Sequence, residues 1–344
     1  MEINFLVKKL REERILLREE FKILLGSGGE ELHNAAREVC EEVFGRDVYI
    51  RGLIEFTNYC IRNCNYCGIR SGNSKLERYR LSLDEILACC AKGYELDIRT
   101  FVLQGGEDDF YNDERLVEII SRIKQNHPDC AITLSIGERS YESFKQLFNA
   151  GADRYLLRHE TANADHYTTL HPPDLSLASR KKCLQDLKNI GYQVGCGFMV
   201  GSPGQTPDHI VDDFLFIKEL DPHMVGIGPF MPHADTAYAS EAPGDLNLVL
   251  NSLAILRLMK PTLLLPSTTA LGTLSKRGRE LGVLAGANVV MPNLSPRDVR
   301  KKYMLYDNKI STSDDAALTK SRIAEQMQNV GREIVVKRGD YGDV

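Results

Sequence analysis

Residues 49–70 read YIRGLIEFTNYCIRNCNYCGIR. The first eight, 49–56, are mostly β-branched, aromatic or apolar and suit a buried strand. They run into Thr57-Asn58-Tyr59-Cys60-Ile61-Arg62-Asn63-Cys64-Asn65-Tyr66-Cys67-Gly68, a loop that packs three of the nine cysteines into eight residues. From here a strand–loop–helix rhythm carries the chain forward. Further strands are expected at 100–104, 131–136, 154–158, 193–200, 224–228, 262–266 and 287–291. Helical stretches lie between them, at about 82–93, 112–126, 140–150, 163–168, 176–190, 207–220, 245–259 and 275–285. Ser82 with Glu85 three residues on, and Thr206 before Pro207, mark two helix starts. Eight strands alternating with helices predict an α/β fold with a parallel sheet. An open doubly wound sheet would have fewer units and a G-x-G-x-x-G after its first strand, and none follows residue 56. Eight units across 49–292 match the roughly 250 residues of a closed (β/α)8 TIM-type barrel.

The flanks divide the chain into three parts. Residues 1–48 are expected as two helices, about 3–25 and 30–44, broken by GSGG at 26–29. Residues 49–292 form the barrel. Residues 293–344 form a C-terminal extension packing on it, with a helix at about 314–329 and a polar tail expected to be loose.

Composition narrows the function classes. Of 344 residues, 43% are hydrophobic and 26% charged, ordinary values for a globular protein and enough to build a large core. Lys and Arg number 43 and Asp and Glu 48, a net charge of −5, which argues against a nucleic-acid binder. No apolar run approaches the roughly 18 residues of a membrane span, and the doubly charged start MEINFLVKKLREERILLREE lacks the apolar core of a signal peptide. A cytoplasmic protein without a disulfide framework is expected.

In such a barrel the reactive groups gather at the C-terminal ends of the strands and in the loops that follow. Three thiolates on one loop can ligate three irons of a [4Fe–4S] cube, leaving the fourth iron open to a non-protein ligand. The same triplet is open to a zinc reading, but that needs a fourth Cys or His; the nearest downstream histidine is His127, and no second C-x2-C follows. Three unrelated cysteines are the remaining alternative.

The C-x3-C-x-Y-C loop after a first strand resembles the radical S-adenosylmethionine (SAM) enzymes. Beyond it, VLQGGED (102–108), RYLLRHETAN (154–163), MVGSPGQT (199–206), MVGIGPFMPH (224–233) and GANVVMPN (286–293) are similar to the HydE family, maturases of the [FeFe]-hydrogenase active site. The resemblance covers about residues 48–308. It implies that Cys60, Cys64 and Cys67 ligate one [4Fe–4S] cluster whose open iron binds SAM, and that reduction cleaves SAM to methionine and a 5′-deoxyadenosyl radical. It implies that Tyr66, Met199 and the Gly105-Gly106-Glu107 backbone lie at SAM. Ser135 and Glu160 would hold its ribose or methionine part, and Arg180 would meet its carboxylate. Thr133, Arg158, Thr268, Thr269, Met291, Tyr303 and Tyr306 would line the barrel near the substrate. The implied substrate is a small organometallic or amino-acid-derived molecule, a diiron-subcluster precursor with CO, cyanide and cysteine ligands. The implied partners are other hydrogenase maturases and an electron donor, with no nucleic acid and no membrane.

Each of these residues has a plainer reading. Gly105-Gly106 could be a turn, Glu160 a surface pair with Arg158 or His159, Arg180 a solvated helix charge, and Thr268-Thr269 a helix cap. His159, His171 and His233 are read as hydrogen-bonded or exposed rather than metal ligands. Some relatives carry a second cysteine set near the C-terminus. Residues 297–344 contain no cysteine, and KISTSDDAALTKSRIAEQ offers no thiolates, so one cluster is expected. Two other functions compete: a related radical SAM enzyme such as methylornithine synthase or biotin synthase, and a non-catalytic Fe–S scaffold or carrier.

Overall fold

Parallel strands close into a ring. β1 (Asp47–Ile50) and β2 (Gly52–Thr57) make one stave, and β2 pairs with β3 (Thr100–Gly105). The sheet continues through β4 (Ala131–Ser135), β5 (Arg154–Leu156) and β6 (Gln193–Cys196), which β7 (Met199–Val200) prolongs. β6 pairs with β8 (Met224–Val225), and β7 with β9 (Gly228–Pro229). The seventh stave is a pair of single bridges, Leu264 on Met224 and Pro266 on Val289. β10 (Val289–Val290) then pairs back on β1, Tyr49 opposite Val289 and Ile50 opposite Val290. Staves stand at all eight positions of the expected barrel, and the pairings run round to meet β1 again. The computed structural model describes residues 2–310 and 313–342. Met1, the last two residues, and Ser311 and Thr312 of the KISTSDDAALTKSRIAEQ segment lie outside them.

The alternation of strand side chains decides what faces the ring's interior. Val102, Thr133, Leu156, Met224, Val289 and Met291 point inward around a cavity, with Arg51 at its edge. Ile54, Phe101, Leu103, Ile132, Leu134 and Tyr155 point outward and join the core under the helices. The expected strands 193–200 and 224–228 each split in two. A Cβ at Gly197 would lie 2.0 Å from the carbonyl oxygen of Gly226, so the two backbones touch where both ladders break.

Helix starts follow the sequence signals. Ser82 and Glu85 form a capping box, and the Thr206 hydroxyl accepts from the His209 amide ahead of Pro207. The expected helix 3–25 is corrected to two, Glu2–Glu13 and Arg18–Ser27. Between them Arg14 adopts a left-handed φ of 62°, and its guanidinium donates to the Leu258 carbonyl at 2.9 Å. The bend lets Leu10 and Phe21 enter the same core as the barrel helices. A short helix, Thr269–Leu274, precedes the expected stretch 275–285 and starts at Thr268, whose hydroxyl accepts from the Leu271 amide, as the reading of that residue as a cap has it.

The tail is not loose. β11 (Glu333–Val335) pairs parallel with β1, Asp47 opposite Glu333. Residues 338–341 then cross the N-terminal end of the barrel. The Arg338 carbonyl accepts from Thr100 Oγ1 at 2.7 Å and Arg154 Nη2 at 2.9 Å, the Gly339 carbonyl accepts from Arg51 Nη2 at 3.3 Å, and the Tyr341 amide donates to Gln193 Oε1 at 2.9 Å. Main-chain atoms of the tail thus satisfy inward polar groups at the strand starts. Arg154, fully buried, finds its carboxylate on Asp340. Asp340→Asn would leave that guanidinium without its counter-charge, and the expected loss of stability is about 3 kcal/mol, measured by urea unfolding against wild type.

Candidate active site

The cysteine loop contains no regular secondary structure, so its shape must come from bonds to its surroundings. The Ile61 amide donates to the Glu107 carbonyl at 2.8 Å, the Asn65 amide to Leu170 at 2.9 Å, and the Gly68 amide to Leu305 at 2.9 Å. Arg62 Nε reaches Glu107 Oε2 at 2.5 Å. Arg78 gathers the carbonyls of Ile69 and Arg70 at 2.8 and 2.7 Å. Gly106 passes directly beneath the loop: a Cβ there would lie 2.2 Å from the Tyr59 carbonyl oxygen and 2.6 Å from the Cys60 Cβ. A Cβ on Gly68 would strike the Met304 carbonyl oxygen at 2.1 Å. Gly-Gly at 105–106 is therefore a place of close backbone approach and not merely a turn.

Cys60, Cys64 and Cys67 are free and half-buried. Burial raises the Cys60 thiol. Burial, then the neighbouring Cys60, pushes Cys64 up to about 12. Cys67 is raised by burial and by both other thiols, so the three sulfurs sense one another. Thiols held protonated by crowding are the donor set that a multiply charged cationic centre converts to thiolates. Among the described residues, no three His, Cys, Asp or Glu side chains sit close enough to hold a single metal ion. A cube spreads its three thiolates over three irons, and three free thiols that share one loop and sense one another are a donor set of that kind.

Beside the thiols, Tyr66 meets His171 edge-to-face with centroids 5.5 Å apart, and its hydroxyl is 3.4 Å from His171 Nε2. Glu107 Oε1 accepts from the Glu138 amide at 3.1 Å, and Glu138 Oε1 accepts from Arg180 Nε at 2.6 Å. Arg180 also donates to the Arg158 carbonyl at 2.9 Å. It is 8% exposed, which overturns its reading as a solvated helix charge. Glu160 pairs with Arg158 at 2.9 Å; the carboxylate is buried and the guanidinium half-buried. Glu160 holds a left-handed φ of 64°, and its carbonyl accepts from the Met199 amide at 3.2 Å. His159, between them in sequence, turns away onto Asp213 at 3.1 Å, both fully buried. Ser135 ends β4, opposite Gln104.

The remaining residues spread over the barrel interior and its rim. Thr133 and Met291 face the interior cavity. Thr133 Oγ1 and Arg158 Nε are buried and make no hydrogen bond. Tyr303 is buried, and Gln104 Nε2 donates to its hydroxyl at 3.4 Å. Thr268 caps the helix after the seventh stave, and the Thr269 carbonyl accepts from Thr273 Oγ1 at 3.0 Å. Tyr306 is half-buried, and burial raises its phenol.

Sequence reasoning missed Glu55 and Lys309, and gave no role to Glu138 and Asn293, which stand at strand ends. Glu55 is an acid inside the apolar run LIEF, a signal that was available. Its Oε1 meets Lys309 Nζ, and its Oε2 accepts from Asn293 Nδ2 at 2.8 Å.

Residues 54–217 match the radical SAM superfamily. The chain is 42% identical to the [FeFe] hydrogenase maturase subunit HydE of Thermotoga maritima, over 93% of this chain and 91% of the relative. It belongs to the HydE family. Among solved structures, methylornithine synthase (PylB) superposes with a TM-score of 0.83 at 25% identity, covering 96% of this chain and 97% of that one. The maturase HydG superposes at 0.81 with 18% identity, over 97% of this chain and 76% of that one, a likeness of fold alone. The HydE-family chain is thus a radical SAM enzyme of [FeFe]-hydrogenase maturation, with the [4Fe–4S] cluster and SAM of its superfamily. No helix among the described residues is long and apolar enough to cross a membrane.

Gly106→Ala should force the cysteine loop off β3. The backbone it meets has no flexible end to yield, so the expected outcome is a folded protein that loads markedly less iron than wild type in anaerobic reconstitution.

Proposed function

We propose that this HydE-family enzyme generates its radical at the mouth of the barrel and acts there on a small organometallic iron precursor carrying CO, cyanide and cysteine ligands. One observation carries the choice of substrate class. The inward carboxylates at the mouth each face a cation of the chain: Glu55 is hydrogen-bonded to Lys309 and Asn293, and Glu160 makes an ion contact, without a hydrogen bond at Oε2, to Arg158. Thr133 Oγ1 and Arg158 Nε keep unused donors in buried positions. Such a chamber suits an electron-rich, hydrogen-bond-accepting ligand and disfavours a free ammonium. An amino-acid mutase of the methylornithine synthase type would want the opposite, an acidic anchor left open. A sulfur-inserting enzyme would want a second cluster with its own cysteines or an Arg ligand, and the other six cysteines form no second set in the sequence.

Bound and reduced, the cluster supplies the electron that cleaves SAM to methionine and a 5′-deoxyadenosyl radical. In this reading Cys60, Cys64 and Cys67 hold the cluster, and the Gly105-Gly106-Glu107 backbone faces the SAM amino group. Tyr66, Ser135, Glu160 and Met199 pack around the nucleoside and methionine parts. Arg180, steadied by Glu138, offers its remaining donors to the SAM carboxylate. Thr133, Arg158, Thr268, Thr269, Met291, Tyr303 and Tyr306 wall the substrate chamber and exclude water, which a reactive radical requires. Residues 49–292 serve as the catalytic unit, with 1–48 and 293–344 packed on it. The enzyme works in the cytoplasm with an electron donor and the other hydrogenase maturases, and without nucleic acid.

Replacing any one of Cys60, Cys64 or Cys67 by Ala removes one of three protein thiolates. No such variant should give a SAM-responsive EPR signal or form 5′-deoxyadenosine, while reconstituted wild type should carry about four irons per chain. An iron content near eight, with a second signal indifferent to SAM, would contradict the single-cluster assignment. A cluster signal in wild type that ignores SAM would favour the scaffold reading.

Arg180→Ala should leave the cluster in place and weaken SAM binding. Loss of a charge-assisted contact costs about 1.5–3 kcal/mol, or one to two decades in affinity. Equal affinities at equal iron content would remove Arg180 from the SAM site.

A further inference from the structure

Glu55 and Lys309 lie 254 positions apart in sequence and meet inside the barrel, their side chains 1% and 6% exposed. Glu55 stands level with the mouth: it pairs in register with Gln104, which pairs with Ser135. Its second oxygen is taken by Asn293 Nδ2 at 2.8 Å, which aims the first at Lys309. Lys309 Nζ also donates to the Tyr303 carbonyl at 3.0 Å and lies 5.0 Å from the centroid of the Tyr303 ring. A carboxylate, a carbonyl oxygen and an aromatic face around one nitrogen are the three partners that recognise a primary ammonium.

A buried ion pair is not needed to hold a barrel together, since apolar side chains of similar volume do so at least as well. Lys309 does not belong to the barrel wall. It arrives from the C-terminal extension, and its stem enters the chamber as a ligand would. We propose that Glu55, Asn293 and Tyr303 form a primary-ammonium subsite that this chain fills with its own Lys309, so that substrates with a free ammonium are refused. The inference rests on the mouth being the substrate chamber. It makes Lys309 and Glu55 specificity-determining residues: the pair withholds from substrate the carboxylate that would otherwise anchor an amino acid.

Lys309→Ala deletes Cγ, Cδ, Cε and Nζ, the atoms of n-propylammonium, so that cation is the probe. In the reconstituted full-length protein without SAM, n-propylammonium should raise the melting temperature of Lys309→Ala saturably, by several degrees. Tetramethylammonium at the same ionic strength should not, because it cannot donate hydrogen bonds. Wild type, with its subsite filled, should not respond, and Glu55→Gln/Lys309→Ala should lose the response. If Lys309→Ala does not fold alone, the same comparison is read as the yield of folded protein at low temperature with each cation present. Equal effects of the two cations on Lys309→Ala, or a response that survives in the double variant, would overturn the subsite. SAM cleavage by wild type is untouched by that result, so the failure of the subsite and the failure of the proposed reaction remain distinguishable.

Discussion

Glu107 ties the cysteine loop after the first stave to the loop after β4. Its carbonyl holds Ile61, one carboxylate oxygen holds Arg62, and the other takes the Glu138 amide. Through Glu138 the chain of contacts reaches Arg180, and through Arg180 the Arg158 carbonyl. The loop after the first stave, the loop after β4 and the end of β5 are thus tied to one another through Glu107, Glu138 and Arg180. The three cysteines sit on that loop, so their placement depends on these contacts. Gly106 is the steric counterpart: a Cβ would separate the loop from the strand that Glu107 binds it to. Preorganisation of this kind lowers what ligand binding must spend on ordering the site.

The C-terminal extension completes the barrel from both ends. At the mouth it delivers Tyr303 and Lys309, and at the base Asp340 and the carbonyls of Arg338 and Gly339. Both deliveries answer the same physical problem. An eight-stave ring has inward positions at its two rims that the strand residues do not fill, and here they carry Glu55, Arg154 and Arg51. Charged groups so deeply buried are costly unless paired, and the strands themselves do not bring the partners.

What the sequence disclosed follows from the range of each signal. Periodicity and caps are local, so the eight staves and most helices are readable within a residue or two of where they lie. The cysteine triplet is local too. Pairs such as Glu55–Lys309 and Arg154–Asp340 join residues 254 and 186 positions apart, and nothing in either neighbourhood names its partner. The charge inside the LIEF run marks Glu55 as unusual but leaves the other half of the pair unknown. The polar tail was misread for the same reason: polarity suggests solvent, and the groups it satisfies are on distant strands. The break between β6 and β7 escaped notice because it comes from contact between Gly197 and Gly226, two glycines in separate staves.

Two barrels can share a ring and still refuse each other's substrates, because the ring supplies positions and not a chemistry. In this chain the strands contribute carboxylates and guanidinium groups to the interior, a set that on its own would attract amino acids. Whether those groups face a ligand is settled by what else enters the chamber. Glu160 is masked from within its own strand end, by Arg158 two residues away. Glu55 is masked from outside the ring, by a lysine on a segment that also backs the cysteine loop through Leu305 and Gly68. The segment that closes the acidic position is therefore mechanically continuous with the loop that carries the thiols. The shape of the thiol loop and the closure of the acidic position are properties of one piece of chain.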